Sequence, residues 1–277
     1  MNYREAYEQG KNILTQAGLL EAALDARLLL EFVCKTNRND LLVHGDRAVE
    51  DDQEAEFFSF IQKRAQRIPL QHITGEQEFM GLSFQVNENV LIPRQDTEIL
   101  VEEVMKQLHD GYRILDMCTG SGCILLSLLH YSNDCSGVGA DLSERALAVA
   151  RENAQRLQEE NAVFVQSDLF EKVEGKFEII VSNPPYINSD VIGTLMEEVK
   201  DHEPMMALDG GADGLDFYRK IVAQSAEHLC GGGMLFFEIG YDQKAAVTAM
   251  MEDAGFQGVT AVCDYAGLDR VVYGCRY

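Results

Sequence analysis

The sequence predicts an α/β protein: a mostly parallel sheet with helices on both faces, preceded by a small helical bundle and a β-hairpin. Three observations carry this. From residue 97 to the end, strand-like apolar runs alternate with stretches of helical period, the pattern of a sheet built from strand–helix–strand units. Before Pro69, apolar residues recur only at helical spacing. The chain has 277 residues, 46% of them apolar, enough for one large domain and one small one.

Taken in order, Leu20, Leu24, Leu28 and Phe32 repeat every fourth residue, and the acidic start Asp51-Asp52 precedes a second helical stretch over residues 57–67. Pro69 stops helical continuation. Residues 78–86 (EFMGLSFQV) read as two short strands pivoting on Gly81, and residues 87–96 as a connection. Strands are expected over residues 112–117, 136–141, 163–168, 177–182 and 234–239, with helices over 122–129, 142–157, 214–229 and 243–254. Two final strands, near 260–262 and 270–274, have too short a link for a crossover and are expected to pair antiparallel. The expected division is a helical domain over 1–75, a hairpin over 76–92 and a large domain over 93–277.

Composition excludes several classes. With 46 acidic against 23 basic residues the net charge is −23, and neither the part before Pro93 nor the part after it carries a basic surplus. Neutralising phosphates needs clustered Lys and Arg, so neither nucleic acid nor an anionic membrane surface is an expected partner. No basic segment followed by an apolar run opens the chain, and no apolar run approaches the ~20 residues that span a bilayer. Seven scattered cysteines without a CxxC pair suit reduced thiols, and no metal site is expected. A cytoplasmic monomer is the expectation.

Two constellations carry chemistry. Residues 114–122 (ILDMCTGSG) leave an apolar strand and open a helix, with Gly120 and Gly122 permitting a tight turn that brings backbone N–H groups to a ligand. The next strand ends at Asp141, spaced to take ribose hydroxyls, and Asp168 ends the third. The bland alternative is an ordinary strand–helix turn. Even the nucleoside reading leaves NAD, ATP and S-adenosylmethionine open.

Residues 177–186 (FEIIVSNPPY) are the second constellation: a buried strand ending in Asn183-Pro184-Pro185-Tyr186. Two prolines make a stiff turn that offers carbonyls without competing donors, Asn183 adds a side-chain carbonyl, and Tyr186 a flat ring. The guest that fits is an –NH2 on a planar group, its hydrogens taken by Asn183 and Pro184 and its plane stacked. A rigid turn with a packed Tyr is the alternative.

Together these stretches resemble S-adenosylmethionine-dependent methyltransferases acting on amide or exocyclic amine nitrogens. Residues 67–75 (RIPLQHITG), 90–98 (VLIPRQDTE), 203–215 (EPMMALDGGADGL) and 237–243 (FEIGYDQ) narrow the resemblance to the peptide chain release factor glutamine-N(5) methyltransferases, over nearly the whole chain. That resemblance implies a Rossmann-like seven-stranded sheet and S-adenosyl-L-methionine as methyl donor. It implies, as substrate, the glutamine of the Gly-Gly-Gln loop of class 1 release factors. Asp141 is then expected on the ribose, Asp168 and Leu169 on the adenine, and Cys118, Thr119, Gly120, Ser121 and Gly122 along the methionine part. Asn183 and Pro184 are expected at the reacting amide, Asn183 against the cofactor as well, with Pro185 and Tyr186 around the amide. Cys118 stands where the family more often has Gly, Gln95-Asp96 where Pro-Glu is usual, and Leu169 where some members carry an aromatic residue. The rival readings are a glutamine methyltransferase for a ribosomal protein, an N6-adenine nucleic-acid methyltransferase, and a non-catalytic binding protein.

Overall fold

The computed structural model describes residues 1–277. Its first helices are α1 (Tyr3–Gln16), α2 (Ala22–Cys34), α3 (Arg38–Val43), α4 (Asp51–Ala65) and α5 (Leu70–Thr74). The hairpin strands β1 (Glu76–Phe79) and β2 (Leu82–Gln85) follow. The remainder runs α6 (Gln95–Met105), β3 (Arg113–Met117), α7 (Cys123–His130), β4 (Ser136–Asp141), α8 (Glu144–Leu157), β5 (Ala162–Gln166) and β6 (Phe177–Ser182). Short helices α9 (Ser189–Ile192) and α10 (Glu197–Lys200) lead to α11 (Asp216–His228), β7 (Leu229–Glu238), α12 (Lys244–Asp253), β8 (Gln257–Cys263) and β9 (Asp269–Arg276). Two compact units result. One is Met1–Glu76 with Met196–His202, the other Gln77–Leu195 with Glu203–Tyr277.

In the helical unit, Asn2 caps α1 by accepting from the Glu5 N–H while Glu5 returns a bond to the Asn2 N–H, satisfying two otherwise orphaned donors. Leu14, Leu29, Leu30, Phe57 and Ile61 form the buried centre. The stripe that announced α2 is not the buried face: Leu20 is 95% exposed, and Leu24 and Phe32 are also exposed, while Ala22, Ala26, Leu29, Leu30 and Val33 turn inward. The period was legible, but alanines on the inner face disguised its phase. The segment Met196–His202 belongs to this unit through charge pairs. Arg64 donates to Asp25 at 2.8 Å and to Glu198 at 3.1 Å, and Arg67 to Glu198 at 3.4 Å.

The larger unit holds a seven-stranded sheet in the order β5-β4-β3-β6-β7-β9-β8. All neighbours are parallel except the pairs that β9 makes with β7 and β8. Strand β7 begins five residues before the expected start, since its glycine-rich beginning is carried into the sheet by pairing of Leu229 with Phe177 across a bulge. Buried Phe177, Phe236, Phe237 and Tyr218 lie in the layers against the sheet, and in α7 every residue from Cys123 to Leu129 is buried. The order places the switch point between β3 and β6, so the loops after β3, β4 and β6 open on the same carboxyl edge.

Candidate active site

At that edge lies a cavity of about 520 Å³, within the range usual for small-molecule sites. Cys118, Thr119, Gly120 and Ser121 from the loop after β3 line it, with Asp141 ending β4, Asp168 and Leu169 following β5, and Asn183 and Pro185 following β6. Gly122, Pro184 and Tyr186 stand outside the lining. Gly122 begins α7, where an added Cβ would lie 3.1 Å from Leu126 and 3.2 Å from Ala150, so it serves helix packing.

The loop after β3 is tied from below and from the side. Asp116 is fully buried, and its Oδ2 accepts from the Thr119 hydroxyl at 2.6 Å and the Leu125 N–H at 3.3 Å. Burial pushes its pKa up to about 7, against the pull of those two donors, and nearby Asp141 adds to the rise. Asp141 accepts the Gly120 N–H on one carboxylate oxygen at 2.9 Å and the Ser143 N–H on the other at 2.8 Å. A carboxylate takes about four hydrogen bonds, so each oxygen keeps capacity toward the cavity. Cys118 adopts φ +64°, a left-handed conformation that glycine takes without cost and other residues do not. That is the physical reason a glycine is natural there. Burial and the neighbouring Asp141 and Asp116 hold its thiol far above the usual range, so it remains protonated.

Asn183 lies at the end of β6 with its Nδ2 donating to Thr97 Oγ1 at 3.3 Å, which leaves Oδ1 as an acceptor. Tyr186 points away from the lining. Its hydroxyl donates to the buried Glu238 Oε1 at 3.2 Å, and its carbonyl accepts from Gln243 Nε2 at 2.9 Å. The residues 237–243 therefore act as the backing of the Asn-Pro-Pro-Tyr turn. Residues 208–214 back it too: the Ile187 N–H donates to the Leu208 carbonyl at 3.0 Å, and the Gly210 N–H donates to the Ile187 carbonyl at 2.8 Å, across the turn's exit. An added Cβ at Gly210 would stand 2.7 Å from Tyr186 Cα, a backbone atom that cannot yield. Gly210→Ala is expected to lower kcat about tenfold or more, through displacement of the turn, with the cofactor dissociation constant changing far less. Steady-state kinetics beside calorimetric titration checks this.

Several lining residues were not singled out from the sequence: Thr97, Phe217 and the 204–207 segment. The signal for Thr97 and for 204–207 was membership in the stretches 90–98 and 203–215; Phe217 lies outside both. Arg94, placed by sequence in the domain connection, also lines the cavity, and its Nη2 donates to both oxygens of the buried Glu203, at 2.6 and 2.8 Å. Of the lining side chains, Asp141, Asp168 and Asp209 are acidic and the one guanidinium is already paired. This set of acceptors suits a guest that is cationic and carries hydroxyls.

The sheet order, the glycine loop after β3, the acidic end of β4 and the Asn-Pro-Pro-Tyr turn after β6 define a Rossmann-like methyltransferase. Residues 94–201 match the family model described as methyltransferase small domain, and residues 5–75 that described as PrmC N-terminal domain. The fold is similar to that of a methyltransferase from Pyrococcus furiosus, with a TM-score of 0.53 at 16% identity over 82% of this chain and 99% of that one. The sequence is 43% identical to the release factor glutamine methyltransferase of Clostridium acetobutylicum over 91% of this chain and 90% of that protein. It is 41% identical to its namesake from Caulobacter vibrioides, over 98% of this chain and 96% of that protein. The chain belongs to the release factor glutamine methyltransferase family.

Proposed function

We propose that this enzyme transfers a methyl group from S-adenosyl-L-methionine to the side-chain amide nitrogen of the glutamine in the Gly-Gly-Gln loop of class 1 release factors. The observation that carries the reading is Asn183, whose Oδ1 is left free to accept in the same cavity that Asp141 and Asp168 line. When bound, S-adenosyl-L-methionine supplies a methyl group on a positively charged sulfur. The carboxylates of Asp141, Asp168 and Asp209 in the lining fit that cation, and the remaining lone pairs of Asp141 fit its ribose hydroxyls. Asp168 and Leu169 flank the adenine in this reading, and the loop from Cys118 to Gly122 receives the methionine part.

The protein's part in the chemistry is to make a poor nucleophile attack. An amide nitrogen shares its lone pair with its carbonyl. Accepting both N–H bonds, at Asn183 Oδ1 and the Pro184 carbonyl, favours a pyramidal nitrogen with its lone pair directed at the methyl group. Those contacts strengthen as positive charge develops on the nitrogen, so they stabilise the transition state more than the ground state. No strong base is required, because the cationic N-methylated amide first formed is acidic enough to lose its proton to water. Residues 1–75 are assigned to recognition of the release factor, 76–92 to the hairpin connection and 93–277 to methyl transfer. The reading includes action as a cytoplasmic monomer; no helix is long and apolar enough to cross a membrane.

Methyl-labelled cofactor, offered with a class 1 release factor, its loop Gln→Ala variant, a large-subunit ribosomal protein and duplex DNA, tests this. Label is expected on the intact release factor and not on the other three. Label on the ribosomal protein or DNA in its place would overturn the substrate assignment while keeping the methyl-transfer site.

A further inference from the structure

The Asn183 amide has an accepting end and a donating end, and the chemistry above needs the accepting end to face the guest. Presenting Nδ2 would set a donor against a nitrogen that itself donates two hydrogens. Something must therefore select the rotamer.

Thr97 is buried in the first turn of α6, and its Oγ1 accepts from Asn183 Nδ2. A hydroxyl has one proton, and with its oxygen occupied by the amide that proton must turn elsewhere. Glu238, 2% exposed, ends β7, which packs against α6. Its Oε1 takes the Tyr186 hydroxyl, while Oε2 accepts no hydrogen bond of ordinary length. The buried carboxylate oxygen without a donor and the buried hydroxyl proton that Asn183 does not take come from two elements that pack together, and their pairing removes two penalties at once. Burial raises the Glu238 pKa, and among the groups opposing the rise the Thr97 hydroxyl acts most strongly, ahead of Arg270 and Tyr186.

We propose that Glu238 and Thr97 are positioning residues that fix the Asn183 amide. The carboxylate draws the hydroxyl proton toward itself, the hydroxyl oxygen then takes Nδ2, and Oδ1 is left facing the substrate nitrogen. The proposal rests on the role given to Asn183 above. It also assigns a job to Glu238, which stands apart from the cavity lining.

Thr97→Val keeps the shape and removes the hydroxyl; Thr97→Ser keeps the hydroxyl. With release factor and saturating cofactor, Thr97→Val is expected to lower kcat about 10- to 100-fold, with KM for release factor and Kd for cofactor within about threefold of wild type. Thr97→Ser is expected to restore most of the turnover. A second readout needs no turnover: hydrogen exchange of the Asn183 side-chain amide protons by NMR in asparagine-labelled enzyme. One proton should be protected in wild type and Thr97→Ser, and neither in Thr97→Val. Equal exchange in wild type and Thr97→Val overturns the proposal even if the release factor is methylated. If the protection pattern holds but wild type fails to methylate the release factor, the substrate reading falls and the positioning role stands.

Discussion

Asn183→Ala is expected to lower turnover on the release factor about 10²- to 10³-fold, the usual consequence of deleting one group aimed at developing charge. The dissociation constant for S-adenosyl-L-methionine should move by no more than about threefold, since the interaction lost is made mainly in the transition state. The truncation leaves the Thr97 oxygen without its donor, and because Thr97 lines the cavity water can supply one, so the fold loses little. Asn183 stands at the end of a strand paired on both sides, by β3 and β7, and the neighbouring prolines hold the turn without its side chain. Single-turnover methyl transfer measured beside calorimetric cofactor titration separates the two quantities. Comparable losses in both would mean that Asn183 holds the cofactor and does not act on the amide.

The second large effect is on stability and comes from Asp116. Its pKa rises from 3.8 to about 7 because the carboxyl is wholly buried, and its Oδ1 has no hydrogen-bond partner. Below pH 4 the carboxyl is protonated whether the chain is folded or not, and no penalty arises. Between about pH 4 and 7 the unfolded chain has lost the proton and the folded one retains it, so folding stability falls as pH rises. Above about pH 7 the full penalty is present, on the order of 4 kcal/mol for a shift of that size. Asp116→Asn keeps an oxygen for Thr119 and the Leu125 N–H and removes the titration. The difference in unfolding free energy, variant minus wild type, should therefore grow in the variant's favour from pH 4 to 7 and level off above. Urea unfolding of the two proteins across that range reads it, every other titrating group being common to both. Parallel curves would show that Asp116 stays ionised in the folded protein through the whole range.

Much of this molecule could be read from its sequence where the signal was local. Strands β4 and β6 have the bounds that their apolar runs and flanking polar residues announce. The hairpin turns on Gly81 as expected, with Met80 beside it also left-handed (φ +51° and +72°). What escaped was set by contacts between distant segments. The inward face of α2 depends on which neighbours cover it, and its alanines gave no apolar contrast. The early start of β7 depends on its pairing with β6. The direction of Tyr186 depends on Glu238, 52 positions further on, which offered a buried acceptor that outcompeted a place in the lining. Thr97 is a more instructive omission. It lay within a stretch that marked the family, yet a lone Thr in a first helical turn has no chemical signature until the residue it bonds is known.

In the proposed reaction Asn183 and Asp141 belong to one site that places a methyl group on a glutamine amide nitrogen. Tandem mass spectrometry of release factor incubated with the enzyme and S-adenosyl-L-methionine tests it most directly. One added methyl is expected on the side-chain nitrogen of the Gly-Gly-Gln glutamine, formed far more slowly by Asn183→Ala or Asp141→Ala enzyme. A methyl group on any other residue, or the same product at undiminished rate from Asn183→Ala enzyme, would contradict it.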